Sequence, residues 1–136
     1  MMIVTIDGPA GAGKSTAARE LARRLGFEYL DTGAMYRAVT WLCLEARLDL
    51  TDQAAVATAA RTAEIDFREG RIFANGRDVS SEIRSVRVTE ESRFVAGNQL
   101  VRDLLVDLQR KIACNRDIVT EGRDQGTVAF PQAECK

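Results

Sequence analysis

Two glycines separated by four residues and followed by Lys-Ser, in Gly8-Pro9-Ala10-Gly11-Ala12-Gly13-Lys14-Ser15, constrain this chain more than any other feature. The segment lies between a β-rich run, Ile3-Val4-Thr5-Ile6, and a helical pattern from Lys14 to Leu25. Strand, glycine loop and helix in that order match the phosphate-binding GxxxxGK[ST] pattern, and the position favours it over a plain glycine-rich turn with an exposed lysine. Glycines let the backbone curl so that several N–H groups face phosphate oxygens beside a positive helix end. Lys14 adds a mobile positive charge for the β and γ phosphates, Ser15 a hydroxyl for Mg²⁺, and Thr16 a further hydroxyl for phosphate.

Composition narrows the chemistry. The 136 residues fit one domain, and their apolar residues come in short runs that never reach the roughly 18 of a membrane span. The N-terminal Met-Met-Ile-Val-Thr-Ile-Asp carries no basic leader before its apolar run and reads as the first strand of a cytoplasmic protein. A net charge of −1 gives no field that would recruit nucleic acid or anionic lipid. Cys43, Cys114 and Cys135 form no CxxC pair, so no zinc site or disulfide framework is expected. With no histidine in the chain, imidazole acid/base chemistry and His-ligated zinc are excluded, leaving Lys, Arg, Asp, Ser and Thr.

Along the chain, Ala18, Leu21, Ala22 and Leu25 form the apolar face of the first helix, which Gly26 ends. Phe27-Glu28-Tyr29-Leu30 reads as a second strand, and a second helix is expected from about residue 34 to 47 with Met35, Val39, Leu42 and Ala46 inward. Thr51 or Asp52 is placed to cap a third, alanine-rich helix. Ile65-Asp66-Phe67-Arg68 and Arg71-Ile72-Phe73-Ala74 flank Glu69-Gly70 as a hairpin inside what looks like a small insertion. Helical patterning resumes near Ser85, and after Asn98 the residues Val101, Leu104, Leu105, Leu108 and Ile112 share a face. Asp117-Ile118-Val119-Thr120-Glu121 is the third core strand, and 130–136 complete no further element.

A phosphate loop alone leaves ATPases, GTPases and kinases open. Asp31-Thr32-Gly33-Ala34-Met35-Tyr36-Arg37 puts a hydroxyl, an aromatic ring and a guanidinium at a strand-to-helix junction, where α/β sheets bind ligands. Tyr36 and Arg37 suit an aromatic anion, while helix capping by Asp31 and Thr32, a core Tyr36 and a solvated Arg37 form the plainer alternative. Arg102 alone, on an amphipathic helix, reads as a solvated charge.

With these residues together, the chain resembles the bacterial cytidylate kinase family. The likeness runs from Ile6-Asp7-Gly8 to Lys14, through Leu30-Asp31-Thr32-Gly33-Ala34-Met35-Tyr36-Arg37, Gly76-Arg77-Asp78-Val79 and Glu82-Ile83-Arg84, to Glu121-Gly122-Arg123-Asp124-Gln125-Gly126-Thr127-Val128-Ala129-Phe130-Pro131. The resemblance implies transfer of the ATP γ-phosphoryl group to CMP or dCMP, with Mg²⁺. Lys14, Arg123 and Asp124 are then the catalytic groups, and residues 8–16 form the donor site. Thr32, Tyr36, Arg37, Arg102, Arg123 and Asp124 would contact the acceptor: arginines can hold its phosphate bidentately, and a carboxylate can accept from a cytosine amino group.

The implied fold is α/β: a P-loop, nucleoside-monophosphate-kinase-like parallel sheet with helices on both faces, β1 central, and residues 62–97 as an acceptor-site insertion in a single incomplete domain 1–136. Two departures stand out. The family more often has aspartate where Glu121 stands, and its members continue through two more core strands and an arginine-bearing lid. A slow, self-associating fragment with an open β1 edge is therefore expected, the complete enzyme being a monomer. Another small-molecule kinase, for adenylate or shikimate, and a non-catalytic nucleotide-binding fragment are the alternative readings.

Overall fold

The computed structural model of the chain describes residues 1–9 and 13–136; Ala10, Gly11 and Ala12, the middle of the expected phosphate loop, lie outside the described residues. In chain order the first elements are β1 (Ile3–Asp7), α1 (Lys14–Leu25), β2 (Glu28–Asp31), α2 (Thr32–Glu45) and α3 (Gln53–Thr62). They are followed by β3 (Ile65–Arg68), β4 (Arg71–Ala74), β5 (Arg77–Asp78), a 3₁₀ turn (Glu82–Arg84), α4 (Val86–Ala96), α5 (Gln99–Ala113), β6 (Ile118–Gly122) and a π turn (Gln125–Ala129). Two compact units result: Met1–Thr32 with Val106–Lys136, and Gly33–Leu105.

The first unit is built on a parallel sheet of order β1-β6-β2. Ile118, Val119, Thr120 and Glu121 are all buried, the near-continuous burial of a strand covered on both faces. Val4, Val119, Ala18 and Ala22 form its core cluster, joined by Ile6, Leu21, Phe27 and Tyr29. Alanines on the inward side of α1 let the helix lie close to the sheet. Leu25, expected on that face, is 46% exposed, because the helix ends there and Gly26 turns the chain away with φ 70°.

Within the three-stranded sheet β6 is the middle strand and β1 lies at one side, its outer edge being the one expected to be open. Yet β1 is paired on both edges. Gly8 N–H donates to Gly122 O and Ile118 N–H to Met2 O, so even-numbered positions of this strand face β6. Thr5 N–H donates to Cys135 O at 2.9 Å and Cys135 N–H to Ile3 O at 3.4 Å, so odd-numbered positions face a short parallel bridge at Cys135. Ile3 N–H also donates to Glu134 Oε2 at 2.8 Å. The outer edge, expected to be open, is thus occupied at Ile3 and Thr5.

α2, which belongs to the second unit from Gly33 on, starts at Thr32 and stops at Glu45, earlier at both ends than expected. Met35, Ala38, Val39 and Cys43 are buried, whereas Ala46 lies beyond the helix and is exposed. Asp52, not Thr51, caps α3 by accepting from Ala55 N–H at 3.1 Å. β3 and β4 pair antiparallel in the expected register, and β5 adds a third strand beside β4. Both residues of the hairpin loop have positive φ, Glu69 at 53° and Gly70 at 75°, the conformation a two-residue type I′ turn demands. Ser85 caps α4 through Val88 N–H, and Asn98 Oδ1 accepts from Leu100 and Val101 N–H at the start of α5. Among the described residues no helix is long and apolar enough to cross a membrane.

Leu30, only 1% exposed on β2, anchors that strand in the interior. Leu30→Ala is expected to cost about 2–5 kcal/mol of stability, as cavity-forming core truncations do, and urea denaturation followed by circular dichroism measures it.

Candidate active site

Parallel pairing aligns the C-terminal ends of three strands. Ile6 and Asp31 both stand opposite Glu121, and Asp7 stands opposite Gly122. In parallel α/β sheets that edge is where ligands bind. α1 follows β1 in the chain, and its N-cap residue, Gly13, has φ 80°, a left-handed conformation that suits glycine.

Glu121 organises this edge. It is 5% exposed, and its Oε1 accepts from Ser15 Oγ at 2.8 Å and from the Tyr29 hydroxyl at 3.0 Å. Burial, with the nearby charges of Asp31 and Glu121, pushes the Tyr29 phenol well above its ordinary pKa, so it remains a protonated donor at neutral pH. Thr32 Oγ1 donates to the Glu121 carbonyl at 2.8 Å. Thr32 is 4% exposed, so its proton is committed to the end of β6. Lys14 Nζ lies 3.4 Å from Pro9 O, folded back on its own loop, and Thr16 is exposed on the first turn of α1.

Beyond Glu121 the chain enters Gly122-Arg123-Asp124 and the π turn. Asp124 O accepts from Val128 N–H at 2.8 Å and Ala129 N–H at 3.2 Å, and Gln125 O accepts from Phe130 N–H at 2.7 Å. Two charged side chains grip this turn. Asp7 Oδ1 accepts from Gln125 N–H at 2.7 Å and Asp7 Oδ2 from Gly126 N–H at 2.8 Å. Arg110 Nε donates to Ala129 O and Arg110 Nη2 to Val128 O, both at 2.8 Å. Thr120 Oγ1 donates to Gln125 Oε1 at 2.9 Å, tying the turn to β6.

The sheet-based unit therefore brings together Gly8, Pro9, Gly13, Lys14, Ser15, Thr16, Thr32, Arg123 and Asp124 of the residues the sequence singled out. Ala10, Gly11 and Ala12 fall outside the described residues. Tyr36, Arg37 and Arg102 belong to the second unit, where all three are half-buried and Tyr36 O accepts from Thr40 Oγ1 at 2.8 Å. Sequence reasoning missed the parts played by Asp7, Tyr29, Arg110 and Gln125. Asp7 and Tyr29 carried a signal, since Asp7 ends the first strand and Tyr29 lies within the second; Arg110 gave none, because only tertiary structure brings Val128 and Ala129 to it.

Among the described residues no group of three or more His, Cys, Asp or Glu is placed to hold a metal ion. Ser15 Oγ and Glu121 Oε1 nevertheless form a pair of hard oxygen donors, which fits Mg²⁺, an ion that keeps several waters and takes only one or two protein ligands beside phosphate.

A parallel sheet, the GxxxxGKS sequence between β1 and α1, and a serine at the start of α1 bonded to an acidic residue of β6 define an α/β protein with the P-loop NTPase fold. A sequence model described as Cytidylate kinase matches residues 4–136. The cytidylate kinase of Rhodopirellula baltica is 50% identical over 99% of this chain and 59% of its own length, and that of Fusobacterium nucleatum is 44% identical over 99% and 62%. A bifunctional pantoate ligase/cytidylate kinase of Prochlorococcus marinus is 47% identical over 98% of this chain and 27% of its own. The chain belongs to the cytidylate kinase family, and it spans about three-fifths of the length of the single-function relatives named here.

Gly126 tests the packing around the π turn. A Cβ there would sit 2.9 Å from Thr5 Oγ1 and 3.1 Å from Asp7 Oδ2. Gly126→Ala is expected to destabilise the chain by about 1–3 kcal/mol, as overpacking does, with a lowered thermal midpoint as the readout.

Proposed function

We propose that the protein carrying this chain is a cytoplasmic nucleoside monophosphate kinase that transfers the γ-phosphoryl group of ATP to CMP or dCMP, giving CDP or dCDP. The observation that carries this reading is the meeting of the start of α1, Glu121 and the Arg123-Asp124 segment at one edge of the sheet, in a chain that matches one kinase family almost end to end. Three free cysteines fit a reducing compartment.

Residues 8–16 would cradle the donor phosphates, with Lys14 turning from Pro9 O to the β and γ phosphates. Ser15 and Glu121 would hold Mg²⁺, which supplies neutralisation of phosphate charge when bound. Glu121 is one methylene longer than the more usual aspartate of the family, and the Tyr29 hydroxyl steadies the longer side chain against Ser15. Arg123 and Asp124, with Thr32, Tyr36, Arg37 and Arg102, would recognise the acceptor: the guanidinium groups take its phosphate and the Asp124 carboxylate its cytosine amino group. Residues 62–97 would serve as the acceptor-site insertion of one kinase domain. Phosphoryl transfer needs positioning and charge stabilisation more than acid/base power, so a site without histidine is adequate.

Two substitutions separate donor from acceptor. Lys14→Ala is expected to lower turnover by about a hundredfold or more with the fold intact, the scale of removing one preorganised donor to transition-state charge; wild-type turnover in a correctly folded variant would refute the donor assignment. Asp124→Ala is expected to raise KM for CMP about ten- to a hundredfold, the value of a hydrogen bond to a charged group, while KM for ATP changes little. Coupled assays offering CMP, dCMP, UMP, AMP and shikimate as acceptors test the substrate class, and preference for AMP or shikimate would overturn it.

A further inference from the structure

Arg110 lies outside every motif in the chain, yet it makes two hydrogen bonds to a turn eighteen and nineteen residues away in sequence. Half of its side chain is exposed, and Asp107 approaches only Nη1, at 3.9 Å. Nε and Nη2 are each directed to one carbonyl, Ala129 O and Val128 O. Holding a long side chain in one such geometry carries an entropic cost, which the two bonds from the charged guanidinium offset.

What they fix is the C-terminal end of the π turn. A helical turn leaves N–H groups unsatisfied at its start and carbonyls at its finish, favouring an anion at the first and a cation at the second. Both are present: the Asp7 carboxylate takes the N–H groups of Gln125 and Gly126, and the Arg110 guanidinium takes the carbonyls of Val128 and Ala129. Asp124 O accepts two of the bonds that close the turn, so the Asp124 backbone cannot rotate without opening it. Single π turns are uncommon and recur at functional sites.

We infer that Arg110 is a positioning residue for acceptor recognition: with Asp7 at the opposite end, it holds the turn that sets the backbone of Arg123 and Asp124. The inference rests on the reading of Arg123 and Asp124 as acceptor-binding groups. Arg110 itself touches no substrate; it acts through the turn.

Steady-state kinetics of the enzyme carrying this chain, for Arg110→Gln, Arg110→Lys and Arg123→Ala, test the role. Arg110→Gln is expected to raise KM for CMP about tenfold, the effect of losing a charged hydrogen-bond donor, and to leave KM for ATP within about twofold. Arg110→Lys keeps one cationic donor and falls between Arg110→Gln and wild type; it carries the comparison if the glutamine variant does not fold. Equal losses for CMP and ATP, or a lowered melting temperature with both KM values unchanged, would show Arg110 to be only a structural cap and overturn the role. Arg123→Ala separates the two levels. If it weakens CMP selectively while both Arg110 variants do not, the positioning role alone is wrong; if it leaves CMP untouched, the acceptor reading fails and takes the positioning role with it.

Discussion

Parallel pairing of β6 between β1 and β2 is the constraint on which the rest of this site depends. It sets Ile6, Glu121 and Asp31 side by side at the strand C-termini and leaves the polar end of β6 inside the protein. A buried carboxylate is costly unless hydrogen-bonded, and Glu121 meets that cost with hydroxyls from two other elements, Ser15 of α1 and Tyr29 of β2. One acidic side chain thereby joins the start of the first helix to the sheet. If β6 slipped by one residue, Glu121 would be carried to the opposite face and both bonds would be lost.

The same edge carries a second polar assembly. Asp7 ends β1 and receives two N–H groups of the π turn, while Thr120 of β6 donates to Gln125 and Arg110 of α5 closes the far end. Glycine at 126 suits this packing because the turn passes so close to Thr5 and Asp7 that a Cβ would force their side chains to shift. Tight contact and charge complementarity together give the Arg123-Asp124 segment a defined backbone without placing it in a strand or an ordinary helix. That is the preorganisation a site needs when its chemistry consists of positioning and charge stabilisation.

Much of this was legible in the residues. The strand-loop-helix order around Gly13-Lys14-Ser15 placed α1 to the residue, since Lys14–Leu25 is the observed helix, and β1 to within one, the strand running on through Asp7. The hairpin register followed from Glu69-Gly70, because a two-residue loop with positive φ at both positions allows little else. Errors came where local pattern met tertiary demands. Ala46 kept the helical spacing of α2, but the helix had already ended, and Leu25 kept that of α1 at the point where Gly26 turns the chain outward. Thr51 and Asp52 were equivalent as caps on paper; Thr51 instead bonds through both N–H and hydroxyl to Asp49, which leaves Asp52 for the helix.

The sequence by itself determined the elements, the family and the residue types available for chemistry, because glycine placement, apolar period and the absence of histidine are local properties written into the chain. Only the tertiary structure decided what Glu121, Asp7 and Arg110 do. Glu121 and Ser15 are 106 residues apart and Asp7 and Gly126 are 119 apart, and such pairs become neighbours only when parallel strands align their ends. A carboxylate or guanidinium has no assigned role until folding fixes which N–H, hydroxyl or carbonyl stands opposite it, since its hydrogen bonds act over about 3 Å and carry no trace in the sequence around it.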